Sequence, residues 1–239
     1  MTETLAFAAV FVPCLVIAIV FHEVAHGLAA KALGDPTASE RGRLTFNPIK
    51  HVDPIGTLVV PGGLLLMGAP AFGWAKPVPV NKHRLSNPRF GMMAVAAAGP
   101  AMNFALALVG ALLFGFVGVA GSEWSFSAAG FPMLIAPDGS ALPVATGLYL
   151  FMLINVFLGL FNLLPIPPFD GSHIVGGLLP GRLRGGWERL QRYGMVLILG
   201  VIGFSWVFGT GWLEVTIVPL VGEVMAFYEG VANSIGAAL

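Results

Sequence analysis

The chain has 239 residues, with 12 basic and 12 acidic side chains, so 24 are charged. A soluble domain of this length carries about 60 charged residues, whereas here 56% of the residues are hydrophobic and the mean hydropathy is +0.85. These values exclude a disordered chain and a nucleic-acid-binding protein built on a basic patch, and they indicate an integral membrane protein. The single cysteine, Cys14, excludes an internal disulfide and a cysteine-cluster metal site.

The basic residues fall in three clusters, at 31–50, 76–89 and 182–192. The positive-inside rule predicts that all three clusters lie on the cytoplasmic side of a membrane. Before the first cluster, residues 4–30 carry one charged residue, Glu23, and predict a spanning helix that enters from outside.

The apolar segment 55–73 lies between the first two clusters and contains Pro61, Gly62 and Gly63. A single crossing would place the two clusters on opposite sides, so the segment is predicted to be a re-entrant hairpin or a broken helix. A plain transmembrane helix is the alternative. Residues 42–47 alternate polar and apolar side chains and residues 55–60 are rich in β-branched residues, so both are predicted to be extended.

The rest of the chain predicts further spans. Residues 90–120 cross outwards, an acidic outer loop covers 121–144, and residues 145–164 return. Residues 193–208 are predicted to cross outwards again. Residues 212–228 either come back or lie in the membrane interface, because they carry Glu214, Pro219 and Glu223.

The first predicted helix contains a His-Glu-x-x-His motif, formed by His22, Glu23 and His26. Histidines four residues apart lie on one helix face, about 6 Å apart along the axis, so both imidazoles can bind one zinc ion. The glutamate beside them is placed to take a proton from a zinc-activated water molecule. Because a charge in the middle of a membrane helix costs about 2.5–3.5 kcal/mol, the motif indicates function rather than packing.

A catalytic zinc site needs a third protein ligand. Asp170 is the first candidate, since three prolines end the preceding helix and Gly171 lets the backbone turn beside it. The predicted depths also agree, because Asp170 lies at the cytoplasmic end of its helix and His22 lies about 13 Å from that side. His173 is the alternative ligand. The other histidines and acids near predicted spans are His51, His83, Glu214 and Glu223.

These motifs resemble those of the site-2 protease family of intramembrane zinc metalloproteases. Residues 22–26 (HEVAH) match the zinc helix of that family, and residues 162–171 (NLLPIPPFDG) resemble its N-x-x-P-x(4)-D-G motif. Residues 99–103 (GPAMN) resemble the G-P-x-x-N motif of its middle core helix. The family often has leucine before the aspartate, where this chain has Phe169.

The resemblance implies an all-α polytopic membrane protein with a three-helix catalytic core, here 4–30, 90–120 and 145–164. A small β or re-entrant element near the active site is expected to present the substrate as an added strand. We divide the chain into an intramembrane metalloprotease core at 1–180 and C-terminal transmembrane or interfacial helices at 181–239. The chain is similar to the compact subgroup without PDZ or CBS domains.

The resemblance also implies the chemistry. One Zn²⁺ per chain would be held by His22, His26 and Asp170, with Glu23 as the catalytic base. The substrate would be a transmembrane segment of another membrane protein, cut inside the lipid bilayer. We expect a multi-pass protein of a prokaryotic cell membrane, with its active site towards the cytoplasm. No nucleic-acid partner is expected.

Three asparagines lie in the predicted core helices. Asn103 could donate to an oxyanion or hold the substrate carbonyl, and the alternative is a hydrogen bond between helices. Asn155 and Asn162 lie seven residues apart on one helix face. One of them is expected to support the ligands or the substrate, and Asn162 is the candidate for substrate binding.

Two other functions are compatible with the same ligands. A metal-ion transporter or sensor would bind a metal in transit, but it has no need of a general base between its ligands. A catalytically inactive binding protein is disfavoured by the presence of Glu23.

Overall fold

The computed structural model describes residues 2–68, 73–117, 121–128 and 130–238. Within these ranges the chain forms nine α-helices, namely α1 (Thr2–Ala32), α2 (Thr37–Glu40), α3 (Val60–Leu66), α4 (Pro88–Val117), α5 (Pro143–Asn162), α6 (Asp170–Leu178), α7 (Gly181–Arg192), α8 (Gly194–Phe208) and α9 (Trp212–Gly236). A 3₁₀ turn covers Pro48–His51 and a π-helical turn covers Pro54–Val59. Strands β1 (Glu123–Phe126) and β2 (Pro132–Ile135) pair antiparallel, with Glu123 opposite Ile135.

Four helices in the described ranges are long and apolar enough to cross a membrane, namely Glu3–Ala32, Pro88–Val117, Pro143–Asn162 and Val215–Gly236. Helices α7 and α8 form a pair bent by 64°, which would be a fifth span if counted as one. The prediction of an all-α polytopic membrane protein is therefore confirmed. The end of the predicted span 90–120 lies outside the described residues.

Helix α4 runs antiparallel to both α1 and α5. Near one end of the bundle, the Cys14 thiol lies 3.6 Å from the carbonyl oxygen of Gly147. Towards the other end, His22 contacts Asn103 and His26 contacts Val95. The three predicted core helices are thus neighbours, and their polar residues meet at one level of the bundle.

Helix α9 packs against α4 and α5 through an apolar stripe at helical spacing. The nine buried residues of this core are Ala107, Ala111, Met152, Val156, Ile217, Val221, Met225, Tyr228 and Ala232. A stripe with steps of three and four residues covers one face of a helix and buries it against its neighbours. This packing gives α9 a place against α4 and α5, and Val215–Gly236 is long and apolar enough to span a membrane.

The direction of α9 also differs from the prediction. The Tyr228 hydroxyl donates to the Phe104 carbonyl at 2.9 Å, and further along both helices Gly115 lies against Ala232 and Ile235. Helix α9 therefore runs parallel to α4, whereas the predicted return crossing required the opposite direction.

Helix α8, with 15 residues, is about 22 Å long and shorter than a hydrocarbon core of about 30 Å.

The two-stranded sheet lies at the end of the bundle away from the His-Glu-x-x-His motif. Phe131 in this hairpin stacks on Phe7 near the start of α1, with ring centroids 4.4 Å apart. The Leu134 amide donates to the Thr146 hydroxyl near the start of α5. Since Phe7 is about 22 Å along α1 from His22, the sheet is remote from the predicted active site.

The strands predicted at 42–47 and 55–60 are not formed. Residues 43–47 are irregular, and residues 54–66 form the π-helical turn and α3. The Asp53 carboxylate accepts hydrogen bonds from the amides of Ile55 and Gly56, both at 2.9 Å. This N-terminal cap, together with Pro54 at the first position, starts a helix in spite of the β-branched residues that follow.

The segment 54–66 reaches about 20 Å as a helix, which is too short to span the bilayer and agrees with a broken or re-entrant element. Residues 69–72 of the predicted segment lie outside the described residues. All three basic clusters meet at the end of the bundle beyond the C-terminus of α1. Arg43 donates to the Lys76 carbonyl at 2.8 Å, and Lys82 lies 3.6 Å from Glu188 in the third cluster.

Cysteine labelling tests the direction of α9. In a Cys14→Ala background, Ser234→Cys near the end of α9 should react with a membrane-impermeant maleimide from the same side as Ser125→Cys in the hairpin. Arg189→Cys in α7 should react only from the opposite side, which the positive-inside rule predicts to be cytoplasmic. Labelling of Ser234→Cys from the same side as Arg189→Cys would contradict the parallel arrangement of α4 and α9.

Candidate metal centre

Three side chains from α1 and α6 converge inside the bundle. The Nε2 atoms of His22 and His26 are 3.0 Å apart. Each Nε2 also approaches Oδ2 of Asp170, at 3.2 Å from His22 and 3.3 Å from His26. Among the described residues these three form the one group of three or more His, Cys, Asp or Glu side chains that could hold a metal ion.

Hydrogen bonds at the far side of each ring fix its orientation and tautomer. Nδ1 of His22 lies 2.6 Å from Oδ1 of Asn103, and Nδ1 of His26 lies 2.7 Å from the Val95 carbonyl oxygen. Both partners are acceptors, so each Nδ1 carries the hydrogen and donates it. In the neutral imidazoles the Nε2 atoms are then bare, with their lone pairs turned towards each other and towards Asp170.

This arrangement fits a metal ion. Oδ2 of Asp170 is buried and has no hydrogen-bond donor within the described part of the chain. Three acceptor atoms that face one another without a hydrogen between them repel, and a cation removes the repulsion. A tetrahedral zinc ion with ligand bonds of about 2.0–2.1 Å requires ligand atoms about 3.3–3.4 Å apart, close to the distances observed.

Asn103 is fully buried and its amide is fully engaged. Its oxygen accepts from His22, and its nitrogen donates to the Ala18 carbonyl at 3.2 Å and to Oδ1 of Asn155 at 2.9 Å. No amide hydrogen of Asn103 is left for an oxyanion in this structure. The geometry instead favours a role in orienting His22, with Asn155 holding Asn103 in turn.

The other predicted site residues make their contacts outside the ligand group. The Asn162 amide donates to the Leu158 carbonyl of its own helix at 3.0 Å. His173 lies one turn along α6 from Asp170, and its Nδ1 accepts from the Gln191 side chain at 3.4 Å. Burial lowers the pKa of His173 below its ordinary value. His173 is therefore outside the ligand group, as is His51, whose Nε2 donates to the Thr45 carbonyl.

Glu23 lies in the same helical turn as the two histidines. Its Oε2 accepts a hydrogen bond of 2.8 Å from the backbone amide of Val78, in the chain between α3 and α4. Its Oε1 makes no hydrogen bond with any described residue. One carboxylate oxygen is thus held and the other is available to a water molecule or a substrate.

Gly99 determines how closely α4 approaches the two histidines. A Cβ atom at this position would lie 2.5 Å from ring atoms of His26 and 2.6 Å from His22. The imidazoles therefore lie directly against the backbone of α4. The sequence pattern 99–103 marked this glycine, but nothing in the sequence alone indicated which residues occupy the space beside it.

The helical bundle and its two-histidine, one-carboxylate centre with an adjacent glutamate define a membrane metalloprotein with the residues of a hydrolase. The model of peptidase family M50 matches residues 10–202. The chain belongs to this family, the site-2 protease family, and is a zinc metalloprotease.

Bacterial relatives carry matching names. "Putative zinc metalloprotease YwhC" of Bacillus subtilis is 39% identical over 189 residues, which are 77% of this chain and 76% of that protein. "Putative zinc metalloprotease Rip2" of Mycolicibacterium smegmatis is 28% identical over 63% of this chain and 49% of its own length. Rip2 of Mycobacterium tuberculosis is 28% identical over 71% of this chain and 58% of its own length. No solved structure matches the chain.

The family and these names support a protease and give no support to the alternative of a metal transporter. They also identify zinc as the metal of this class of enzyme. The structure explains how such an ion would be accommodated, because the three acceptors already stand at zinc spacing.

Asn103→Ala should lower zinc affinity about 10- to 100-fold, since His22 loses the acceptor that orients its ring and fixes its tautomer. Chelator competition on the purified protein measures this change. The matched control is Asn162→Ala, which removes an amide that bonds only its own helix and should leave zinc affinity unchanged. Equal affinities in the two variants would show that Asn103 does not orient His22.

Proposed function

We propose that this protein is an intramembrane endopeptidase that cuts transmembrane segments of other membrane proteins. The observation that carries the proposal is the position of the metal centre. His22, Glu23 and His26 lie within a helix long and apolar enough to span a membrane, and α4 and α5 pack around them. A peptide bond that reaches these groups must do so within the bundle.

The proposed roles follow from the geometry. His22, His26 and Asp170 hold zinc, which when bound acts as a Lewis acid on water and on the scissile carbonyl. Glu23 takes a proton from the attacking water and gives it to the leaving amine. Asn103 and Asn155 keep the His22 ring in place, so that neither the ring nor its tautomer changes during the reaction.

We further propose that the active site opens towards the cytoplasm of a prokaryotic cell. The three basic clusters meet beyond the C-terminal end of α1, on the side of the bundle towards which Asp170 lies. Positively charged residues favour the cytoplasmic side of a membrane. The division into a core at 1–180 and C-terminal helices at 181–239 remains a proposal, with α9 as a structural partner of the core.

The base is tested by Glu23→Gln. This substitution keeps the size and one oxygen of the side chain but removes its basicity, so zinc content should stay at about one ion per chain while cleavage falls by at least about 10²- to 10⁴-fold. Asp170→Ala should instead lose zinc and activity together. Normal proteolysis by Glu23→Gln would exclude Glu23 as the base.

The site of cleavage is tested with two model substrates in proteoliposomes. Both are transmembrane peptides of about 20 apolar residues, one all leucine and one with Gly-Pro in its cytoplasmic half. A helical peptide bond is shielded by its own turn, and unwinding it in lipid costs several kcal/mol for each unsatisfied group. The Gly-Pro peptide should therefore be cut faster, beside the break. Cleavage only in the flanking soluble residues would contradict the proposal. Equal cleavage of both peptides within the membrane would show that unwinding of the substrate helix does not limit the rate.

A further inference from the structure

The chain between α3 and α4 passes across the end of α1 that carries Glu23. Residues 74–81, called here the 74–81 segment, use the amides of alternate residues for inward hydrogen bonds. Trp74 donates to Gly56, Lys76 donates to His51, and Val78 donates to Glu23. Alternate residues bonding to one side are typical of an extended chain.

Two prolines present the Val78 amide to Glu23. Pro77 and Pro79 have no N–H, so Val78 carries the one backbone donor between positions 77 and 79. A residue that precedes proline is restricted to extended conformations, which applies to both Lys76 and Val78. The Val78 side chain is buried, and a Cβ atom at Gly27 would lie 3.0 Å from its Cγ1. The segment therefore packs against α1 one turn beyond Glu23.

Both ends of the 74–81 segment are fastened by hydrogen bonds. At the first end, Lys76 donates its amide to the His51 carbonyl and accepts from the Arg43 guanidinium on its own carbonyl, both at 2.8 Å. At the other end, the Asn81 amide donates to Oδ2 of Asp35 at 2.6 Å. Val78 lies between these two anchors.

Asp35 is a fully buried carboxylate three residues beyond the end of α1. Its Oδ1 accepts from the amide of Thr37 at 3.0 Å and from the Thr37 hydroxyl, which leaves Oδ2 for Asn81. Burial raises the pKa of Asp35, but the hydrogen bonds from Thr37 and Asn81 and the nearby Arg84 outweigh burial and hold the pKa below its ordinary value. The anchor is thus an ionised group joined rigidly to the helix that carries Glu23.

We propose that Asp35 is a positioning residue for Glu23, acting through Asn81 and the 74–81 segment to hold the Val78 amide against one oxygen of the Glu23 carboxylate. The inference rests on the proposed function, in which Glu23 moves protons. A glutamate side chain has several rotamers, and a fixed donor on one oxygen restricts the carboxylate to the orientation in which the other oxygen is available. Small displacements of a reacting group lower turnover strongly, so the contact affects kcat rather than substrate binding.

Hydrogen–deuterium exchange tests the contact without any substrate. Because of the two prolines, exchange between positions 77 and 79 reports the Val78 amide alone. It should be slow in the wild type and in Glu23→Gln, which keeps an acceptor oxygen, and fast in Glu23→Ala. The Val78 amide should also exchange fast in Asp35→Asn, which keeps an acceptor for Thr37 but loses the charged acceptor of the Asn81 amide. The matched control is Glu40→Gln, which removes only the exposed ion pair with Arg84 and should exchange slowly.

Kinetics on the Gly-Pro peptide test the consequence. Asp35→Asn and Val78→Pro should each keep about one zinc per chain and an unchanged KM, with kcat lowered about 10- to 100-fold. Glu40→Gln, the control, lies outside the segment and should keep kcat. Because both changes act through one contact, the double variant Asp35→Asn/Val78→Pro should lose no more than Val78→Pro alone.

The outcomes separate this inference from the proposed function. Fast Val78 exchange in the wild type, or equal exchange in wild type and Asp35→Asn, overturns the inference whether or not the peptide is cut. Additive losses in the double variant also overturn it, because they assign Asp35 to general stability. If Asp35→Asn does not fold, Val78→Pro against Glu40→Gln decides, and equal kcat values overturn the inference. Absence of peptide cleavage by the wild type contradicts the proposed function and leaves the exchange result to decide the contact.

Discussion

Three lone pairs pointing at one another inside an apolar bundle are the central constraint of this protein. The Nε2 atoms of His22 and His26 and one oxygen of Asp170 lie within 3.3 Å of each other, and in the neutral imidazoles all three are acceptors. Such a cluster is unfavourable unless a cation occupies it. The surrounding structure therefore has to hold these atoms in place before the metal binds, and metal binding in turn stabilises the fold.

Apolar packing supplies that rigidity from a distance. Helices α4, α5 and α9 share a core of alanine, valine, isoleucine and methionine side chains, and the α4 and α5 residues of that core lie on the helices that also carry Asn103 and Asn155. In a membrane such helices associate by close van der Waals contact rather than by exclusion of water. The polar chain from His22 through Asn103 to Asn155 ties α1 to this packed unit.

Much of the centre could be predicted from the sequence, because its constraints are local. Two histidines four residues apart share a helix face, and an aspartate between a proline-rich turn and a glycine stands at the start of a helix. The role of Asn103 could not be derived, since an amide can donate or accept and its partners come from two other helices. The Val78 contact was equally hidden, because the donor is a backbone group 55 residues from Glu23.

The fold shows the same division between local and distant causes. The spans of α1, α4 and α5 were predictable from their apolar length, within a few residues. The strand expected at 55–60 was wrong because β-branched composition was outweighed by the cap at Asp53, which starts a helical turn at a proline. The strand expected at 42–47 from its alternation was wrong because residues 43–47 pair with no other strand among the described residues. The direction of α9 depends on how this helix packs against α4. The hydropathy of the sequence does not predict that packing.

The absence of a side chain at Gly99 bears on how a peptide can reach the centre. The rings of His22 and His26 occupy the space that even a methyl group would need there, and His26 is also bonded to the Val95 carbonyl of the same helix. A polypeptide is far wider than a methyl group. The boundary between α1 and α4 is therefore closed to it, and opening that boundary would pull the ligands off the helix that aligns them. Any path for an incoming chain has to leave this pair of helices together and approach the metal from another direction.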